Sequence, residues 1–233
     1  MFPLRDDNPT SRPSWMTWAL IAANLGVFGY QVYLLVTAGP AASDAFLVRW
    51  AFNPAHLAAA PFSPAAWLTV LTSLFMHAGF VHVGGNMLYL WIFGNNIEDR
   101  LGPWRFLAFY IACGLVATAA QTAVTGFVDV PNVGASGAVA GVLGAYLLLY
   151  PRARVLTAIF IVIIVELASL PAWLVIAVWF GLQLASGLAS IGPAAQLGGV
   201  AYFAHVGGFL SGVLLIVPAW WNDRRSTRFR SWS

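Results

Sequence analysis

The sequence predicts an all-α membrane protein, a bundle of six transmembrane helices with both termini on the cytoplasmic side. Three observations predict it: the composition, the lengths of the apolar runs, and the placement of arginine. The 233 residues are 60% hydrophobic and 8% charged, against about 25% charged residues in ordinary soluble domains. So few charges cannot cover a water-facing surface, and the chain reads as one compact membrane domain over 1–233, with a core at about 15–221. The net charge of +3 comes from eleven basic residues, all arginine. Ten of them fall on one side of a single topology, which is the positive-inside pattern. The tail 222–233, with Arg224, Arg225, Arg228 and Arg230, is therefore read as a basic cytoplasmic tail that orients the chain, not as a nucleic-acid site.

A span needs ~20 predominantly apolar residues. Trp15 to Val36 meets this, as do Phe106 to Thr125, Ala172 to Ser190 and Val200 to Trp221. Val81 to Ile97 is shorter and is extended backward through His77. Ser136 to Tyr150 is shorter still. A seventh run, Leu156 to Leu170, would put the C-terminal arginines outside if it spanned. Segment 155–170 is therefore expected either to lie at the inner interface or to lengthen the fifth helix. The long connection from Gly39 to Met76 carries Trp50, Phe52, Phe62 and Trp67, and is expected to lie partly in the outer leaflet. Ile191 to Gly199 is a short outer loop. Cys113 is the lone cysteine, placed as a small buried hydrophobe.

Polar residues within membrane helices are costly and mark function. Here they form three clusters: His77, His82 and Asn86; Gly134-Ala135-Ser136-Gly137; and His205. Ser136 opens a helix, where free amides and the positive end of the dipole favour a developing oxyanion. The bland alternative is a helix N-cap in a glycine turn. A serine nucleophile needs a base, and His205 begins a later span of the same direction, so the two can share a depth. Gly137-x-x-x-Gly141 and Ala204-x-x-x-Gly208-x-x-x-Gly212 are stripes that let the two helices touch. His82 and Asn86 are four apart and share a helix face, from which their donors, with the Ser136 amide, can hold an oxyanion. Their alternative is a polar network or a water-filled cavity. His77, Gly134 and Gly137 are read as supporting residues. Asp129 is a poor partner for His205, which favours a Ser-His dyad over a triad.

Together His77…His82…Asn86, Gly134-Ala135-Ser136-Gly137 and Ala204-His205 resemble the rhomboid family in kind and order, over roughly residues 65 to 215. Asn96 to Gly102 is similar to that family's Glu-x-Arg segment. The resemblance implies an intramembrane serine endopeptidase that cleaves transmembrane segments of membrane proteins. It would use a Ser136–His205 dyad and an oxyanion hole of His82, Asn86 and Ser136. The fifth helix and the loop Ile191 to Gly199 would gate access. Two departures stand out. Ala140 occupies a place where an aromatic residue often packs on the base, so the base is expected here to be held either less firmly or by another aromatic such as Tyr202 or Phe203. Trp67 is followed by Leu68, where many members have Trp-Arg.

The expected partners are transmembrane substrates and the bilayer, with no cofactor, no metal and no nucleic acid. The expected location is a prokaryotic inner membrane. Three other readings compete. One is a catalytically silent relative that binds membrane clients. Another is a metalloenzyme using His77, His82 and His205, which lacks a His-Glu-x-x-His motif. The last is a transporter, which lacks a visible internal repeat.

Overall fold

The computed structural model describes residues 1–161, 164–191 and 200–230, with side chains described through Trp221 in the last stretch. The chain runs β1 (Phe2–Asp6), α1 (Trp15–Ala38), α2 (Pro40–Trp50), α3 (Pro54–Ala59), α4 (Pro64–Thr72), α5 (Phe80–Leu101), α6 (Pro103–Thr125), α7 (Ser136–Leu149), β2 (Arg154–Ile161), β3 (Ile164–Pro171), α8 (Ala172–Ala189) and α9 (Tyr202–Arg230). Proline sits in the first turn of α2, α3, α4 and α6, where its missing N–H costs no helical bond. The connection from Gly39 to Met76 is thus a string of short helices.

Four helical stretches are long and apolar enough to cross a membrane: α1, α6, α8 and Tyr202–Trp221 of α9, each with a mean hydropathy of 1.7. A fifth follows if Pro64–Phe75 and Phe80–Leu101 count as one, although they meet at 79°. The chain is therefore an integral, multi-pass membrane protein. The expected backward extension of the second span through His77 does not occur. Met76 is extended and Gly79 has a φ of 171°, so the helix starts anew at Phe80.

The central helix is α7, only 14 residues long and buried without a break from Gly137 to Tyr146. The predicted stripes form its seam with α9. A Cβ on Gly208 would strike the carbonyl of Gly137, one on Gly212 that of Gly141, and one on Gly144 that of Phe209. On the other flank, Cβ atoms at Gly137 and Gly207 would collide with Ala117 and Ala120 of α6. Three helices therefore meet at backbone distance, which only small residues permit.

The all-α expectation is corrected by a three-stranded antiparallel sheet in the order β1-β2-β3. Of the two expectations for segment 155–170, lengthening of α8 does not occur. The segment is the β2–β3 hairpin, paired from Arg154↔Pro171 to Ile161↔Ile164. The run is rich in Val, Ile, Thr and Phe, which fit a pleated surface. Pro171 stops β3 and precedes α8. β1 pairs with β2 from Phe2↔Ala158 to Asp6↔Val155. It is pinned by the Tyr146 hydroxyl donating to Asp6 (2.6 Å) and the Arg154 N–H donating to Asp7 (2.7 Å). Partial burial raises the Asp6 carboxyl above its ordinary pKa, with the Tyr146 hydrogen bond opposing.

The same end of the bundle holds Glu98, which is 2% exposed. Its carboxylate accepts from the backbone N–H of Met16 (2.9 Å) and Thr17 (2.7 Å) and from the Thr17 hydroxyl (2.7 Å). Ser14, the residue before α1, makes no side-chain cap bond, so α5 caps α1 from outside. Arg100 donates to the carbonyl of Ala219 in α9 (2.6 Å). The loop expected at Ile191 to Gly199 falls almost wholly outside the described residues, as do the side chains of the basic tail.

Candidate active site

At the opposite end of α7 from the sheet, the chain enters the helix through Gly134, whose φ is 130°. That conformation favours glycine. A side chain there would also fail for space: a Cβ would lie 2.8 Å and 2.9 Å from Cε1 and Nε2 of His82, and 3.5 Å from Ser136 Oγ. Gly134 therefore lets the His82 ring lie directly over the serine turn. Its N–H donates to the carbonyl of Ser73 (2.9 Å). Upstream, Phe52 and Asn132 exchange backbone hydrogen bonds, and Asn53 donates to Asp129 (2.6 Å). Asp129 is thus occupied in holding this loop, away from His205.

Ser136 is the first residue of α7, and its N–H belongs to the amides that an α-helix leaves without an internal partner. His205 stands in the first turn of α9. Ser136, His205, His82 and Asn86 all line one cavity of about 870 Å³, together with Trp179 and Gln183 of α8. The hydrogen bond His205 makes is to Gln183: Nδ1 and Oε1 are 2.7 Å apart. Catalytic contacts between nucleophile and base are often loose before substrate binds. Asn86 is 8% exposed, and its Nδ2 is buried without a partner among the described residues. Buried donors are nearly always satisfied; this one belongs to a residue that lines the cavity beside Ser136.

His77 lies apart from this group and does not line the cavity. Its ring packs edge-on against His82 (5.2 Å between centroids) and Phe28 (6.4 Å). Its backbone is held on both sides by the Gln31 side chain of α1. Its place is to fix the turn that leads into α5. Gly137 serves the helix seam. Among the described residues, no group of three His, Cys, Asp or Glu side chains is arranged to hold a metal.

Three residues were missed by the sequence reading. Trp179 lies 5.9 Å from the His205 ring, tilted by 36°. Tyr202, one of the two aromatics expected there, is edge-on at 6.5 Å; Phe203 lies beside Gly187 instead. Gln183 holds Nδ1. Gln121 of α6 accepts from the N–H of Ala204 (3.1 Å), satisfying an early amide of α9. Gln183 and Gln121 are polar residues inside apolar spans. That is the signal that drew attention to the histidines, and it could have found them too.

Comparison with known proteins adds an independent line. The family model described as the rhomboid domain matches residues 64–222. The chain is 28% identical to "Rhomboid protein 1, mitochondrial" of Saccharomyces cerevisiae over 212 residues, covering 88% of this chain and 53% of that protein. It is 40% identical to "Rhomboid protease GluP" of Bacillus subtilis over 81 residues, 35% of this chain and 15% of that one. It is 30% identical to "Rhomboid-type serine protease 2" of Emericella nidulans over 86 residues, 37% and 17% respectively. The chain spans about half or less of the length of these curated relatives. Their names include mitochondrial and Bacillus proteins, so the expected prokaryotic inner membrane is not borne out.

Proposed function

We propose, from the premise that this chain belongs to the rhomboid family, that it is an intramembrane serine endopeptidase acting on transmembrane segments of other membrane proteins. In this reading six helices (α1 and α5 to α9) cross the bilayer, with both termini cytoplasmic. The observation that carries it is the shared cavity, in which a helix-opening serine, a histidine and an amide donor without a partner among the described residues meet.

The chemistry follows from those groups. As Ser136 Oγ bonds to the scissile carbonyl carbon, its proton passes to Nε2 of His205. The carbonyl π pair moves onto oxygen. The resulting oxyanion is held by the Ser136 N–H, the Asn86 amide and the His82 ring. His205 then protonates the departing amine as the C–N bond breaks. Water, deprotonated by the same imidazole, releases the acyl group and restores Ser136. His77, Gly134 and Gly137 support the site by holding the α5 turn, the His82 approach and the helix seam. A helical substrate presents its carbonyls already hydrogen-bonded, so spans containing helix-weakening residues are the favoured class.

Cleavage of a single-span protein in liposomes tests this, wild type beside Ser136→Ala. Cleavage by wild type alone is the expected result. Cleavage by both removes Ser136 as nucleophile. Cleavage of no substrate in a panel with small residues near one end of the span favours a silent, client-binding relative.

A further inference from the structure

We propose that Gln183 is a positioning residue that sets the tautomer of His205, leaving Nε2 unprotonated and able to take a proton in the cavity it shares with Ser136. The inference rests on the protease reading and deepens it.

A neutral imidazole carries one N–H, on Nδ1 or on Nε2, and the partner of one nitrogen decides the state of the other. Gln183 Oε1 lies 2.7 Å from Nδ1. With Gln183 Oε1 facing the ring, the bond forms in the tautomer that carries its proton on Nδ1, and that tautomer has its lone pair on Nε2. That is the form able to take the proton of Ser136. The opposite tautomer would present an N–H to the serine and could not act as a base.

The surroundings leave this task to Gln183. Among the described residues, no carboxylate is bonded to His205. Among the described residues, the titratable groups that share its cavity are His82 and Tyr89 from α5 and Tyr202 from its own helix. Ala140 of α7 offers no ring. Trp179 and Gln183 are four apart on α8, so they share a helix face. One lies against the imidazole ring at 5.9 Å and the other holds its Nδ1, a two-point grip from one helix. An amide also suits the location better than a carboxylate, because an ionised group in an apolar interior carries a heavy desolvation cost.

The test uses the full chain with two variants. Gln183→Met keeps the length and removes the acceptor. Gln183→Glu keeps an acceptor and adds a charge. A role in helix packing alone would make Met the better tolerated of the two in an apolar span. A tautomer role predicts the reverse order of activity. For Gln183→Met, kcat falls by about 10²-fold, within the range of general-base contributions, while KM stays within about twofold. The reaction of Ser136 with a fluorophosphonate slows in parallel, and Gln183→Glu recovers at least about tenfold of the loss. Thermal melting confirms that both variants fold. ¹⁵N NMR of His205 in the wild type reads the tautomer directly and needs no turnover. Gln183→Met within about threefold of wild type, Gln183→Glu slower than Gln183→Met, or an Nε2–H tautomer overturns the proposal. A wild type that neither cleaves nor reacts with the probe overturns the protease reading and takes this inference with it.

Discussion

A serine hydroxyl is an ordinary alcohol until a base, an oxyanion site and a dry setting meet at it. In the proposed site the meeting depends on a few side chains, Ser136 and His205 at the first turns of α7 and α9 and His82 and Asn86 near the start of α5. Asn86 is the most exposed to test. Loss of one oxyanion donor typically lowers kcat by 10²–10³-fold, so Asn86→Ala should be slow rather than inactive, with KM little changed. Equal turnover in wild type and Asn86→Ala, measured in the same liposomes, would remove it from the hole. Ser136→Ala, by contrast, should abolish cleavage while its melting curve matches wild type. Ser136, His205, His82 and Asn86 were legible because polar groups in apolar helices stand out. The pairing of His205 with Gln183 was not legible, because nothing in a linear sequence says that residue 183 of one span meets residue 205 of the next.

At the scale of elements, the seam between α7 and α9 sets how far Ser136, the proposed nucleophile, stands from His205, the proposed base. Gly212→Ala places a Cβ against the carbonyl of Gly141. Backbone cannot yield as a side-chain tip does, so the expected loss is about 1–3 kcal/mol of stability, read by thermal melting in detergent. The activity of the folded fraction should drop as well, since the seam carries both proposed catalytic residues. The stripes were readable from glycine spacing alone. The hairpin was not: short apolar runs fit a buried helix or a strand equally well by periodicity, and its partner β1 lies at the far end of the chain. The Asp6 carboxyl offers a check on that sheet. Its pKa is raised in the folded state, so the fold holds its proton more tightly than the unfolded chain does. Its contribution is therefore greatest at low pH and is lost as pH rises through the ordinary carboxylate range to the raised value. The stability difference between wild type and Asp6→Asn should move in that direction across acidic pH. A difference independent of pH would refute it.

Across the whole molecule, the two ends of the bundle do different work. One end carries the cavity. The other is tied by groups distant in sequence: Glu98 to the start of α1, Arg100 to α9, β1 to β2. Glu98→Ala leaves the Met16 and Thr17 amides and the Thr17 hydroxyl unsatisfied. It should cost about 1–3 kcal/mol, as a lower melting temperature. The kcat of the molecules that remain folded should stay near wild type, because Glu98 is remote from the cavity. A fall in kcat without a fall in melting temperature would mean that the ends are coupled. The ties at this end were the part of the fold least visible in the sequence, since each joins residues some 80 to 150 positions apart.

The pairing of β1 with β2 also has a temporal side. Phe2 is made before its partner Ala158, which follows 156 residues later. At typical translation speeds the ribosome needs roughly 8–30 seconds to reach it. Through that interval β1 has no β2 to pair with, and helices α1 to α7 are all synthesised before it can close. Closure of the sheet is therefore a late event in biogenesis, and it reports that everything between its two strands has already been made.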